Sequence, residues 1–204
     1  MWCQPASVGK RRQGGGYDIR AVYGDVRNAE AGKEIEEEMT GKILAIDPGN
    51  VESGYAVVEY DKNRITRILD KGKVTNLEIY RVIDRNRDAV LAVEMIQSMG
   101  MAVGQTVFDT CVWIGRFIEY ATARGMSWEY IFRRDEKLIV CDDSRAKDAN
   151  IRQALIDLYA PNTPNGGKGY KEKPGFFYGF AADAWMAFCV AHCYFEKYVK
   201  GSVK

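Results

Sequence analysis

The sequence has a single histidine, His192, and no apolar run long enough to cross a bilayer. Its first residues, Met1-Trp2-Cys3-Gln4-Pro5, lack the charged-then-apolar order of a secretion signal. A cytoplasmic protein without a membrane partner is therefore expected. The five cysteines, Cys3, Cys111, Cys141, Cys189 and Cys193, are odd in number and scattered without paired metal-ligand spacing. That pattern excludes a disulfide framework and points to reduced thiols. An excess of charge of one sign is missing too: 29 Lys+Arg stand against 28 Asp+Glu, so any nucleic-acid contact must come from local patches. What is present, 47% apolar and 12% aromatic residues in a chain of 204, suits one globular domain with a sizeable core.

The first 40 residues, with Gln13-Gly14-Gly15-Gly16 and no sustained period, read as a poorly ordered extension. Residues 41–204 form the expected domain. Glu36-Glu37-Glu38 before Met39 would fit a purine-rich ribosome-binding tract, which makes Met39 the expected initiator.

Ile43-Leu44-Ala45-Ile46-Asp47 is a short apolar run stopped by Pro48-Gly49-Asn50, a buried strand and its turn. Residues 54–60 and 65–74 continue as strands, and the short connections imply an antiparallel meander. A helix is expected over 77–87, then an apolar strand, Ala89-Val90-Leu91-Ala92-Val93-Glu94. Residues 105–123 carry Val107, Cys111, Ile114, Ile118 and Ala121 at helical spacing. Residues 128–132 and 138–141 look strand-like, and Asp142-Asp143-Ser144 offers caps for a helix through Leu158. A long glycine-rich loop over 162–178 precedes a final apolar helix expected over 180–198. The order of elements defines a mixed α/β domain.

Three acids break apolar patterns: Asp47 and Glu94 at strand ends, and Asp183 in the first turn of the final helix. If the two strands are neighbours, the acids cluster, and clustered carboxylates require a cation between them. Oxygen ligands without nearby His or Cys suit Mg²⁺, with Mn²⁺ as a substitute. Two such ions per site would serve phosphodiester hydrolysis. Taken singly, each acid has a plainer role: a turn residue, an exposed strand end, a charge favoured at a helix N-terminus.

The stretches Ile43 to Asn50, Ser53 to Val58, Leu91 to Glu94 and Ala182-Asp183-Ala184-Trp185 resemble the RuvC family of Holliday junction resolvases, particularly its divergent phage-type members. The resemblance spans about Lys42 to Tyr198. It implies a ribonuclease H-like mixed sheet, three antiparallel strands followed by two parallel ones, flanked by helices. It also implies a homodimer and metal-dependent paired nicking of branched DNA. The family's acids fall on Asp47, Glu94 and Asp183, and an assisting lysine on Lys147. Three residues before the last aspartate, where the family has an acid or His, stands Phe180. Either three ligands suffice or Asp142, Asp143 or Asp109 supplies a fourth. Where the family has a DNA-stacking aromatic stands Gln97, with Met99 and Met101 nearby, so Met99 is a candidate DNA contact.

Lys168, Lys171 and Lys173 beside Phe176-Phe177-Tyr178 make a candidate phosphate-and-stacking surface, against the plainer reading of a solvated loop with buried aromatics. Eight Lys/Arg against three Asp/Glu over 62–87 read as a solvated face. His192 with Cys189 and Cys193 reads as core rather than as a zinc site. Phe108, Trp113 and Phe117 suit either a dimer contact or burial against the sheet. The functional expectation is a structure-selective endonuclease. Its rivals are a non-catalytic branched-DNA-binding module and, because Asp47-Pro48-Gly49 resembles a phosphate loop, an actin-like or sugar-kinase phosphate-binding domain.

Overall fold

The computed structural model describes residues 40–97 and 103–201. The expectations placed on the first 39 residues, Met39 included, and on Met99 and Met101 lie outside the described residues.

β1 (Gly41–Asp47), β2 (Glu52–Tyr60) and β3 (Ile65–Thr75) form the antiparallel meander, joined by connections of a few residues. α1 (Asn76–Arg85) starts directly from β3 through a capping box: Glu78 N donates to Thr75 Oγ1, and the Glu78 carboxylate accepts from Thr75 N. β4 (Val90–Met95) then runs parallel to β1. After α2 (Gln105–Thr122), β5 (Trp128–Phe132) runs parallel to β4. The sheet order is β3-β2-β1-β4-β5, a ribonuclease H-like arrangement with the two parallel strands added beside β1.

Side-chain alternation divides the sheet into two cores. Leu44, Ile46, Val57, Leu91 and Val93 face α1 and α2, where Phe117 is fully buried and Trp113 packs at the edge. Phe117 is thus buried against the sheet and Trp113 partly so, whereas Phe108 stays exposed. Ile43, Ala45, Val58, Ala92 and Ile131 face the opposite layer, made by α3 (Arg133–Cys141), α4 (Asp148–Tyr159) and α5 (Ala182–Tyr194). α5 is apolar nearly all round because it is buried nearly all round; Ala187 through Ala191 are inaccessible.

Three expectations are corrected. Leu138–Cys141 is not a strand but the last turn of α3; four apolar residues in a row fit either state, and here Ile139, Val140 and Cys141 pack against the α5 layer. Asp142 and Asp143 do not cap α4. Asp142 ends α3 in a left-handed conformation (φ 51), Asp143 Oδ1 accepts from Arg145 N, and α4 begins only after Lys147. The final helix starts at Ala182 rather than Phe180, because Phe180 N closes a turn onto Phe177 O, and beyond Tyr194 it widens into a π-helical turn, Phe195–Val199.

The glycine-rich loop folds back on itself: Gly169 forms an antiparallel bridge with Pro174, and Gly175 N donates to Lys168 O at 2.8 Å. Among the described residues no helix is long and apolar enough to cross a membrane.

Candidate active site

The parallel register that pairs Ile46 with Val93 brings the next residues, Asp47 and Glu94, to the same sheet end. Both lie at the C-terminal ends of adjacent parallel strands, where open α/β sheets bind ligands. Alternation points them toward the α5 layer, since Ala45 and Ala92 face it. The two carboxyl groups are buried side by side, and each raises or is raised by its acidic neighbours in proton affinity. Burial, and then the neighbouring Glu94 charge, raises the proton affinity of Asp47; burial and the charge of Glu136 do the same for Glu94.

The turn after β1 is fixed from below. Ser53 Oγ donates to Asn76 Oδ1 at 2.6 Å, and Asn76 Nδ2 donates to Gly49 O at 2.9 Å. Gly49 N donates to Ser53 Oγ at 3.2 Å. Ser53 and Asn76 are each 1% exposed, so this buried network holds the backbone directly following Asp47.

Asp183 arrives from α5. A Cβ at Gly54, the register partner of Asp47, would lie 2.7 Å from Asp183 O, so glycine is what lets the first turn of α5 approach β2. Asp47, Gly54, Lys73 and Asp183 line one cavity of ≈ 250 Å³. Asp183 faces Lys73 at 3.5 Å, and Lys73 also meets Glu52 at 3.5 Å. Asp47 and Glu94 are thus in contact, while Asp183 stands back on a lysine. Among the described residues no three His, Cys, Asp or Glu side chains are gathered tightly enough to hold one metal ion.

On the far side of Glu94 are residues that sequence patterning did not single out. Arg133, the first residue of α3, sits 3.9 Å from Glu94 Oε1 and donates to Glu136, Asp148 and Met186 Sδ. Glu136 is wholly buried; its Oε2 accepts from Arg133, and among the described residues its Oε1 has no hydrogen-bond partner. Burial raises its proton affinity and Arg133 opposes that rise. The one available signal was the block Arg133-Arg134-Asp135-Glu136 set immediately behind a strand end. Glu94, Gln97, Arg133, Arg134, Lys137 and Arg145 share a cleft of ≈ 760 Å³ with Ile96 and Ser144.

Phe180 is 2% exposed, packed edge-to-face among Phe177, Trp185 and Phe188, and belongs to the core. Lys147 is the exposed N-cap residue of α4, its N–H on Asn150 Oδ1 at 3.0 Å, one residue from the Arg133 partner Asp148. Asp109 accepts from Gln105 on the surface of α2, and Asp142 and Asp143 are exposed turn residues. Lys171 and Lys173 are exposed and Lys168 half-buried; Phe177 is inaccessible, while Tyr178 remains at the surface. His192 Nδ1 lies 2.8 Å from Tyr159 OH, so its ring is satisfied within the core.

Although they are not gathered around one point, Asp47, Glu94 and Asp183 form an oxygen-only donor set, the chemistry that suits a hard divalent cation. The fold and the acids at its sheet end define the class, a ribonuclease H-like domain. Within that class the chain has the fold of the RuvC resolvases. It is similar to the RuvC structure of Thermus thermophilus, with a TM-score of 0.60 and 16% identity over 80% of this chain and 98% of that one. It is equally similar to T. thermophilus RuvC in complex with a Holliday junction substrate, covering 79% of this chain and 96% of that one at TM-score 0.60 and 16% identity. No protein-family model and no curated protein sequence matches the chain.

Proposed function

We propose that the protein is a divalent-cation-dependent endonuclease that recognises branched DNA as a homodimer and nicks it in pairs, leaving 5′-phosphate ends. The observation that carries this reading is the contact of Asp47 with Glu94 at the ends of adjacent parallel strands, facing a helix that presents Asp183. Asp47, Glu94 and Asp183 would hold Mg²⁺, or Mn²⁺ in its place, at two ions per site. Bound there, the ions would activate water and stabilise the leaving 3′-oxygen of an in-line displacement.

The chain's own groups divide the remaining work. The Ser53–Asn76 network keeps Asp47 in place; α5, docked closely through Gly54, positions Asp183. Arg134, Lys137 and Arg145 give the cleft beside Glu94 a positive lining suited to a phosphodiester backbone. Lys147, next to Asp148 at the head of α4, and Lys168, Lys171 and Lys173 in the hairpin loop extend the basic surface as candidate phosphate contacts. Met99 is kept as a candidate for distorting the junction.

Nicking of labelled four-way junction, fork and linear duplex, with and without Mg²⁺ or Mn²⁺, tests the reading. Cleavage of the branched substrates alone, abolished in Asp47→Asn with junction binding retained, is the expected result; unchanged nicking by that variant would remove the mechanism. A second reading, a non-catalytic branched-DNA-binding module, is favoured by one observation: the Arg133 guanidinium already neutralises the acids around Glu94. Junction binding without nicking under every metal condition would select it.

A further inference from the structure

We propose that Glu136 is a fourth carboxylate of the cation centre, and that Arg133 is its counter-ion while no cation is bound. This inference rests on the metal-centre reading of Asp47, Glu94 and Asp183.

Phe180 supplies no ligand. Its ring is committed to the aromatic core, so the position three residues before Asp183 offers no oxygen. Asp109, Asp142 and Asp143 belong to the helix surface and to exposed turns. Glu136 differs from all of these. It is inaccessible to solvent, yet one carboxylate oxygen is left without a hydrogen bond. A buried acceptor in that condition is costly, and more so when charged, so it calls for something else that uses it.

Its surroundings say what that something is. Glu136 lies in the first turn of α3, directly beyond the end of β5, and β5 pairs with β4 so that Ile131 stands beside Glu94. Asp47, Glu94 and Asp148 all act on it or are acted on by it electrostatically. The charge among these acids is answered by a single guanidinium, which donates to Glu136 and Asp148 and sits 3.9 Å from Glu94. A guanidinium is all donor and no acceptor, so a cation entering the cluster must displace it from the carboxylates. Arg133 also lines the ≈ 760 Å³ cleft with Arg134, Lys137 and Arg145, which gives the displaced side chain a basic wall where a phosphate would take over as its partner.

Mn²⁺ titration of the purified chain by calorimetry and electron paramagnetic resonance tests this without DNA and without turnover. Wild type should bind, Asp47→Asn should lose binding, and Glu136→Gln, which keeps shape and the Arg133 hydrogen bond, should weaken it about tenfold or more. Arg133→Met should bind Mn²⁺ more tightly than wild type and show a larger rise in melting temperature on its addition. Binding by Asp47→Asn equal to wild type would overturn the metal centre itself. Loss in Asp47→Asn with Glu136→Gln equal to wild type would overturn only the role of Glu136. Weaker binding by Arg133→Met would overturn the counter-ion role. Should Glu136→Gln fail to fold, Glu136→Asp, which retracts the oxygens by one methylene, must show the same direction of effect or the assignment fails.

Discussion

Both flanks of α5 bury ionisable groups, and they do so in opposite ways. Near its N-terminal end, Asp47 and Glu94 press like charges together, and Glu136 keeps an unpartnered oxygen. Near its C-terminal end, His192 is equally enclosed but finds Tyr159 at 2.8 Å, inside a cluster of rings that includes Phe176, Phe177 and Phe188. Burial of a polar group therefore does not by itself mark a site. The mark is burial without compensation, because a satisfied group contributes to stability while an unsatisfied one persists only for a ligand.

The largest effect that sharpens this contrast comes from the satisfied flank. Phe177, inaccessible and in contact with Phe180, Trp185 and Phe188, should cost about 3–5 kcal/mol when changed to alanine, read by denaturant unfolding. Mn²⁺ affinity per folded molecule should stay near wild type; selective loss of affinity would mean that the two flanks are not separate.

Next comes pH. Burial holds the His192 imidazole down at about 4, against a slight opposing pull from Glu196. Its folded value lies below its unfolded one, so the stability it provides is complete above about 6.5 and is lost as pH falls toward 4, by about 3 kcal/mol. The acid flank works the other way, since the raised carboxyls of Asp47 and Glu94 favour the folded state as pH falls. Comparing melting curves of wild type and His192→Asn between pH 7 and 4 isolates the histidine. Parallel curves would show that the ring is not held neutral.

A smaller effect is expected at Gly54→Ala. The added methyl meets Asp183 O, costing about 1–3 kcal/mol and moving the first turn of α5, with Asp183, away from β2. Mn²⁺ dependence of nicking should move to higher concentration, and unaltered dependence would separate Asp183 from the centre. The smallest belongs to Lys73→Ala. Its pairs with Asp183 and Glu52 are solvent-exposed at 3.5 Å, so the melting temperature should not move measurably; a clear drop would show that the lysine is structural.

The acids of the site were legible because each interrupts an apolar pattern at a strand end or in a helical first turn. The antiparallel meander of β1 to β3 was legible from the lengths of the connections, whereas the placing of β4 beside β1 followed only from the family resemblance. Glu136 was not, because Arg133-Arg134-Asp135-Glu136-Lys137 has the composition of a solvated surface, and only the packing of α3 against α4 and α5 turns one of those charges inward. The strand expected over 138–141 failed for a related reason: a four-residue apolar run carries no period, so its neighbours decided its conformation.

Local chemistry along the chain thus settled the strands from β1 to β5, the long helix α2, and the turn that stops β1 at Asp47. Those follow from steric preference and from the segregation of apolar side chains, which act over a few residues. Tertiary structure alone decided that Asp47 touches Glu94, that Lys73 answers Asp183, and that Arg133 and Glu136 close the far side of the cluster. Such charge balances depend on distance through a buried medium, and residues far apart in sequence acquire those distances only when the sheet and its helices pack.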